Sequence, residues 1–258
     1  MTLATAKAMS HFSRNTPLIT IVTVVFNGAA TLERTLQSVL NQTYGDIEYV
    51  VIDGGSSDGT IDIIQKYADG IDYWISEADS GIYDAMNKGV AASSGDYILF
   101  LNADDCFNSS SIVSLVASAI LNDTPPRALY YGDVVYGNGK CFFSRMSAAL
   151  LVINTIHHQG AFYRRELFSN FKYDASLTIG SDYELNLKIF LNKRSTRKIP
   201  AIIAVCEALG ISQTAPMLKV NYENHIVRKR HIGWVLSTLT FMLAMINVVR
   251  RRILPNRD

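Results

Sequence analysis

This sequence predicts an α/β domain built on a Rossmann-like, mostly parallel sheet flanked by helices, and three observations carry that expectation. Strand-like and helix-like segments alternate from Leu18 to Leu101. The strand-like segments are nearly continuous in apolar residues, as strands buried on both faces are. Two of them run straight into clusters of oxygen-bearing side chains, which is where open α/β sheets place their ligands.

The first strand is LITIVTVVF, Leu18–Phe26, rich in β-branched residues. Asn27 and Gly28 turn the chain, and Leu32, Leu36, Val39 and Leu40 then recur at helical spacing. IEYVVID, Ile47–Asp53, is the second strand; the loop GGSSDGT comes next, and a helix runs from Thr60 to Tyr67. Ile71–Glu77 reads as a short third strand, and SGIYDAMNKGVAAS as a helix reaching Ser93. The fourth strand, Tyr97–Leu101, ends in Asn102, Ala103, Asp104 and Asp105. Such a series predicts parallel strands with right-handed crossovers. After a helix from Ser111 to Leu121 the pattern turns irregular. Two short strands flank Gly137, Asn138 and Gly139, and His157–Phe168 reads as a strand and a turn. TIGSDYELNLKIFLNK is a helix with Ser181 as its N-cap, and KIPAIIAVCEALGISQ returns to strand.

At 258 residues, 48% apolar and 18% charged, the chain has the composition of a protein that buries a full core. Its formal net charge of +1 gives no electrostatic reason to expect nucleic acid. Cys106, Cys141 and Cys206 are odd in number, far apart and without a C-x-x-C pair. Neither a disulfide framework nor a zinc site is indicated, and a reducing cytosol fits. A G-x-G-x-x-G loop is absent after the first strand, as is any Walker-type phosphate loop, which disfavours a dinucleotide enzyme and a P-loop nucleotidase.

The two polar loops hold the chemistry. Asp53, Ser56, Ser57 and Asp58 come after the second strand, and Asn102, Asp104 and Asp105 after the fourth. Read from the residues alone, the second set is equally a hard-cation site or a polar turn before the next helix. Asp53 before Gly54 is likewise an ordinary turn residue as well as a strand-end acceptor. A resemblance weighs between these readings. ITIVTVVFNGAATLERTLQSVLNQTY, EYVVIDGGSSDGT, EADSGIYDAMNKGVAASSGDYILFLNADD, HHQGAFYRRELF and GSDYELNLKI together resemble, in order and spacing, the family 2 glycosyltransferases of the GT-A fold. Among these are the bacterial transferases of exopolysaccharide, O-antigen and colanic-acid type.

The resemblance implies a GT-A catalytic domain over residues 17–215, with a nucleotide-sugar-binding half, 17–122, and a smaller mixed acceptor half, 123–215. It implies transfer of a sugar from a nucleotide diphosphate donor, UDP-linked, to a glycan or polyprenyl-linked acceptor in cell-surface polysaccharide biosynthesis. Phe26 and Asn27 would lie beside the nucleoside, Asp53 would bond the base and Asp79 would stand near the nucleotide. Asn87, Asn102 and Ala103 complete the expected nucleotide-sugar site. Asp104 would be the main ligand of Mg2+ or Mn2+. The D-x-D of the family reads N-x-D-D here, so Asn102 supplies a neutral oxygen and lowers the charge holding the cation. Asp182, ahead of a helix in the second half, would take the acceptor proton, and a helix N-terminus favours its ionised form. One base and no evident nucleophile imply a single inverting displacement. His157 and His158 read as neutral packing or acceptor contacts, and Lys88 as a solvated partner of Asp84. Two other classes stay open: a nucleotide-sugar-binding protein of this fold with weak or no activity, which Asn102 keeps open and Asp104 and Asp182 argue against, and a nucleotidyltransferase, whose glycine-rich, lysine-bearing first loop is missing.

Residues 1–16 lack the continuous apolar core of a signal peptide and read as a flexible leader. At the other end, Ile232–Val249 carries no charge between Arg228–His231 and Arg250–Arg252. Gly233, Ser237, Thr240, Ala244 and Asn247 recur along it as a small or polar stripe, and cations flank both ends; neither feature suits a single spanning helix. Segment 216–258 is therefore expected to hold an amphipathic helix at the inner face of the cell membrane, peripheral to it. Packing on the domain, or a homodimer contact, is the alternative.

Overall fold

The computed structural model describes residues 15–207 and 214–253. Residues 1–14 of the expected leader and 254–258 of the C-terminal segment lie outside the described residues.

The first half keeps the predicted alternation: β1 (Ile19–Val25), α1 (Leu32–Leu40), β2 (Ile47–Asp53), α2 (Thr60–Lys66), β3 (Tyr73–Ser76), α3 (Ile82–Ala92) and β4 (Tyr97–Phe100). β1 pairs in parallel with β2 and β4, and β2 with β3. The register sets Val25 beside Asp53 and Asp53 beside Ser76, so the loops after these strands leave the sheet at one edge.

The second half adds β5 (Cys106–Phe107), α4 (Ile112–Leu121), β6 (Leu129–Tyr136), β7 (Cys141–Phe142), β8 (Ala161–Arg164), α5 (Ser181–Leu191) and β9 (Thr196–Cys206). The strand order is β3-β2-β1-β4-β8-β6-β9-β5, with β7 on β6. β8 enters antiparallel to β4, so the sheet becomes mixed where the sequence alternation stops. β5 is not foreshadowed in the sequence: two residues are too few for a periodic signal, and its pairing with β9 defines it.

Alternate residues of the central strands feed two cores. Ile19, Ile21, Tyr49, Val51 and Leu99 pack with α1 and α4, while Val22, Val24, Val50, Ile52, Ile98 and Phe100 pack with α3 and α5. Burial on both faces is why these strands read as unbroken apolar runs. Leu40, expected on the buried face of α1, is 38% exposed at its last turn. Ser181 opens α5 rather than capping it; its hydroxyl accepts the Asp174 backbone N–H at 2.7 Å, and Gly180 holds the cap position.

The C-terminal apolar run is not one helix. α6 (Met217–Ile232) ends at Gly233, whose φ of +78° suits glycine, and α7 (Trp234–Ile253) starts beyond it. The stripe of Ser237, Thr240 and Ala244 is buried against α6, where the Ser237 hydroxyl meets His225 Nδ1 at 2.7 Å. The side chain of Asn247 lies outside the described residues. Among the described residues no helix is long and apolar enough to cross a membrane.

Candidate active site

The carboxyl edge of the sheet opens into a cavity of about 1150 Å³. Of the expected site residues, Phe26, Asn27, Asp79, Asn102, Ala103, Asp104 and Asp182 line it; Asp53 and Asn87 do not.

At the tips of β1 and β2, two loops are clamped together. The Asn27 backbone N–H donates to Ser56 Oγ at 2.7 Å, and the Ser57 N–H donates to Asn27 Oδ1 at 3.0 Å. Phe26, 65% exposed, is thereby held over the opening. Asp53 organises this clamp from below: it is fully buried and accepts from the N–H groups of Gly55 and Ser56 and from the hydroxyls of Ser56 and Ser76. Its carboxylate is thus directed at its own loop, the turn role open to it in the sequence. Gly54 and Asp79 face the cavity instead, and a Cβ on Gly54 would fall 2.5 Å from Asp79 Oδ2, so a side chain there would push that carboxylate aside.

On α3, Asn87 is turned away from the cavity, while Lys88 pairs with Asp84 as expected. Asn87 is spent on the backbone of Tyr173, donating to its carbonyl at 2.8 Å and accepting from its N–H at 2.9 Å. Lys88 pairs with Glu77 at 2.9 Å and Asp84 at 3.8 Å, as a charge neutralised at the surface. Tyr83 and Met86, on the adjoining stripe, line the cavity.

Beyond β4 the four residues diverge in role. Ala103 is tied through its carbonyl to the Thr35 hydroxyl at 2.8 Å. Asp105 is buried and accepts from Gln159 Nε2 at 2.6 Å and from the Glu207 N–H at 3.0 Å; burial pushes its carboxyl above the usual range. It pins the loop. Asp104 is exposed, with Oδ1 accepting from Thr31 Oγ1 at 2.6 Å. Asn102 Oδ1 is buried and has no hydrogen-bond partner among the described residues, an expensive state for an amide oxygen. An unmatched neutral oxygen two residues from an exposed carboxylate, both on the cavity wall, fits a hard cation that takes its other ligands from phosphate and water. Among the described residues no three His, Cys, Asp or Glu side chains cluster as a self-sufficient metal site.

The far wall holds Asp182, near the start of α5 and 8% exposed. Tyr83 donates to Oδ1 at 3.0 Å and Asn154 Nδ2 to Oδ2 at 2.9 Å, while His158 Nδ1 lies 3.6 Å from Oδ2. Burial, and then the Asp182 charge, push the Tyr83 hydroxyl well above its ordinary value, which keeps it a donor. The other imidazole nitrogen of His158 lies 3.4 Å from Asn102 Nδ2, so this ring connects the β4 loop to the α5 carboxylate. His157 stacks on it at 5.6 Å, and burial pushes His157 down to about 3, so it is neutral. Sequence reasoning does not single out Tyr83, Asn154 and His158 as site residues. The pair His157–His158 is the one available signal, readable as packing or acceptor contact, and the structure places His157 in packing and His158 between the two loops.

Residues 20–173 match the family model described as Glycosyl transferase family 2. A Mycobacterium bovis protein named PGL/p-HBAD biosynthesis glycosyltransferase is 34% identical over 204 residues, covering 75% of this chain and 78% of the relative. Among solved structures, S. aureus TarS (residues 1–349) aligns with a TM-score of 0.69 at 15% identity over 93% of this chain and 74% of that chain, and the same protein has been solved with UDP-GlcNAc. The mannosyltransferase PcManGT from Pyrobaculum calidifontis, in complex with GDP-Man and Mn2+, aligns with a TM-score of 0.57 at 19% identity over 84% of this chain and 62% of that chain. The shared architecture is the GT-A-like mixed α/β fold, and the chain belongs to glycosyl transferase family 2 and is a glycosyltransferase.

Proposed function

We propose that the enzyme transfers a sugar from a UDP-linked nucleotide sugar to a hydroxyl of a glycan or polyprenyl-linked acceptor, with inversion at the anomeric carbon, in cell-surface polysaccharide biosynthesis. Residues 17–215 form its catalytic unit, and the acceptor is met at the inner face of the cell membrane, with the enzyme peripheral to it. The observation that carries the reading is the arrangement of one cavity: Asn102 and Asp104 at the β4 tip and Asp182 at the start of α5, connected through His158. TarS solved with UDP-GlcNAc and PcManGT solved with GDP-Man and Mn2+ support a nucleotide-sugar donor and a divalent cation.

Phe26 and the Asn27 loop offer an apolar face and backbone groups to a nucleoside, with Asp79 above Gly54 as the acceptor for its polar edge. Asp53 holds that loop in shape. Asp104 and the Oδ1 of Asn102 would hold Mg2+ or Mn2+, which when bound supplies Lewis-acid stabilisation to a departing diphosphate. Asp182 accepts the proton of the acceptor hydroxyl as that oxygen attacks, and Tyr83 and Asn154 keep its lone pairs aimed while the wall excludes water. A direct attack with a single base yields inversion. The test is to incubate the protein and Mn2+ with candidate nucleotide sugars and acceptors, monitoring nucleoside diphosphate release and the anomeric configuration of the product by NMR. Inversion with UDP release is expected; retention, or no release from any nucleotide sugar, would overturn the proposal.

A further inference from the structure

We infer that the outward face of α7 is a docking surface for an anionic lipid bilayer. Val235, Leu239, Met242 and Ile246 succeed one another at i, i+4, i+7 and i+11, and each is more than half exposed. Trp234 stands at the same end as Val235, 64% exposed. The opposite face, Ser237, Thr240 and Ala244, is buried on α6. The helix is thus fixed to the domain by small and polar side chains and turns its large apolar ones outward, the reverse of a helix whose apolar stripe stabilises its own domain. Ten of the seventeen exposed large hydrophobic side chains among the described residues fall between 217 and 246.

Charge identifies the occupant. Residues 217–253 contain seven Lys and Arg against one acid, Glu223, whereas the rest of the chain contains seventeen against twenty-two. Glu223 is turned inward, accepting from Thr178, Ile179 and Gly180. Arg228 is buried, and Arg230 is bound to Asp174 and Glu184. Lys219 and Lys229 remain exposed, and Arg250, Arg251 and Arg252 occupy the end of α7. An apolar ridge bracketed by cations, with its one acid turned inward, complements acyl chains beneath anionic headgroups. A second copy of the chain across a two-fold axis would instead set like charges against each other. The same helix pair walls the cavity through Met217, Val220 and Ala244, so a membrane met by the ridge lies across this pair from the proposed site.

The inference takes from the proposed function only that a membrane is near. Vesicle binding needs neither donor nor turnover, so its failure leaves the transfer reaction untouched. The experiment uses the full chain with vesicles of phosphatidylcholine containing phosphatidylglycerol, with pure phosphatidylcholine, and with no lipid. Sedimentation with the anionic vesicles is expected, weakening steeply with salt. In a Trp74→Phe variant, which leaves Trp234 as the reporter of the two tryptophans, emission shifts to the blue on vesicle addition. Replacing Leu239→Ser and Met242→Ser, both exposed, lowers partitioning by about tenfold each with unchanged circular dichroism. No sedimentation with anionic vesicles, equal binding to pure phosphatidylcholine, or a lipid-free dimer by light scattering that the double variant dissociates would each overturn the inference.

Discussion

Asp182 is held by groups from three elements, Tyr83 of α3, Asn154 of the loop before β8, and His158, so its position is set before any acceptor arrives. Asp182→Asn keeps the volume but removes the proton acceptor. Transfer is expected to fall by about 10²–10⁴-fold while nucleotide affinity, measured by calorimetry, stays the same; comparable turnover would exclude the base role. At Asn102 the unpartnered oxygen makes a separate prediction. Asn102→Asp adds a charge where the chain offers a neutral ligand, so Mn2+ titrated in the presence of UDP should bind more tightly, on the order of tenfold. Unchanged affinity would mean that residue 102 does not touch the cation. These two residues also show what sequence can and cannot disclose about a site. Both are legible as strand-end and helix-start polar residues in recognisable motifs. The bridge between them is not, because His158 is 56 residues from Asn102 and 24 from Asp182 in sequence, and only the antiparallel entry of β8 beside β4 brings it there.

Elements with a strong period are legible close to their true limits, from β1 to β4 and in α1, α3 and α5. The errors lie where period is silent about direction. In α3 the expected Asn87 sits one residue along from the cavity-lining Met86, and an amphipathic pattern does not say which polar residue meets a ligand. In α7 the small stripe and the large apolar stripe are both visible in the sequence, yet which of them faces the domain depends on how closely α6 approaches. The junction of α6 with α5 makes a prediction of its own. Glu223 receives the Thr178 hydroxyl at 2.7 Å and the N–H groups of Thr178, Ile179 and Gly180 at 2.8–3.0 Å, and so holds the loop that leads into Asp182. Burial alone would raise its carboxyl, but these donors outweigh it and hold it below the ordinary 4.5. A carboxyl depressed in the folded state stabilises the protein above its unfolded value and loses that contribution as pH falls through the folded one. Glu223→Gln, which sets an amide against N–H donors, should cost about 1–3 kcal/mol at neutral pH. The gap in Tm between it and the wild type should narrow below pH 4.5; a constant gap across that window would refute the assignment.

On the scale of the whole molecule, the matched family region ends at residue 173, before Asp182, α5 and the C-terminal helix pair. The nucleotide-sugar residues proposed above therefore lie wholly within that signature, whereas the proposed acceptor wall combines residues inside it, Tyr83, Asn154 and His158, with Asp182 and α6 beyond it. Val227 of α6 is fully buried in the core shared with α3 and α5, and Arg228 Nη1 donates to the Val152 carbonyl at 2.6 Å. Val220, Asn221 and Asn224 of α6 and Ala244 of α7 line the cavity, whereas Phe26, Asn27, Gly54 and Asp79 line it from the other half. The helix pair is thus a structural wall of the cavity as well as a carrier of the outward apolar face. A chain ending at residue 213 should then lose the Glu223 latch and the burial of Val227 together, on the order of 3–5 kcal/mol, which corresponds to a Tm lowered by roughly 10 °C in a domain of this size. At a temperature where the truncated chain is still folded, UDP affinity should be close to that of the full chain, because the loops after β1 and β2, proposed to hold the nucleotide, make their hydrogen bonds among themselves. The acceptor KM should rise and kcat should fall. Calorimetry and steady-state kinetics on the two chains separate the cases: equal Tm and equal acceptor KM would show that the helices are an appendage, and a loss of UDP affinity at unchanged Tm would show that the wall they form belongs to the donor end.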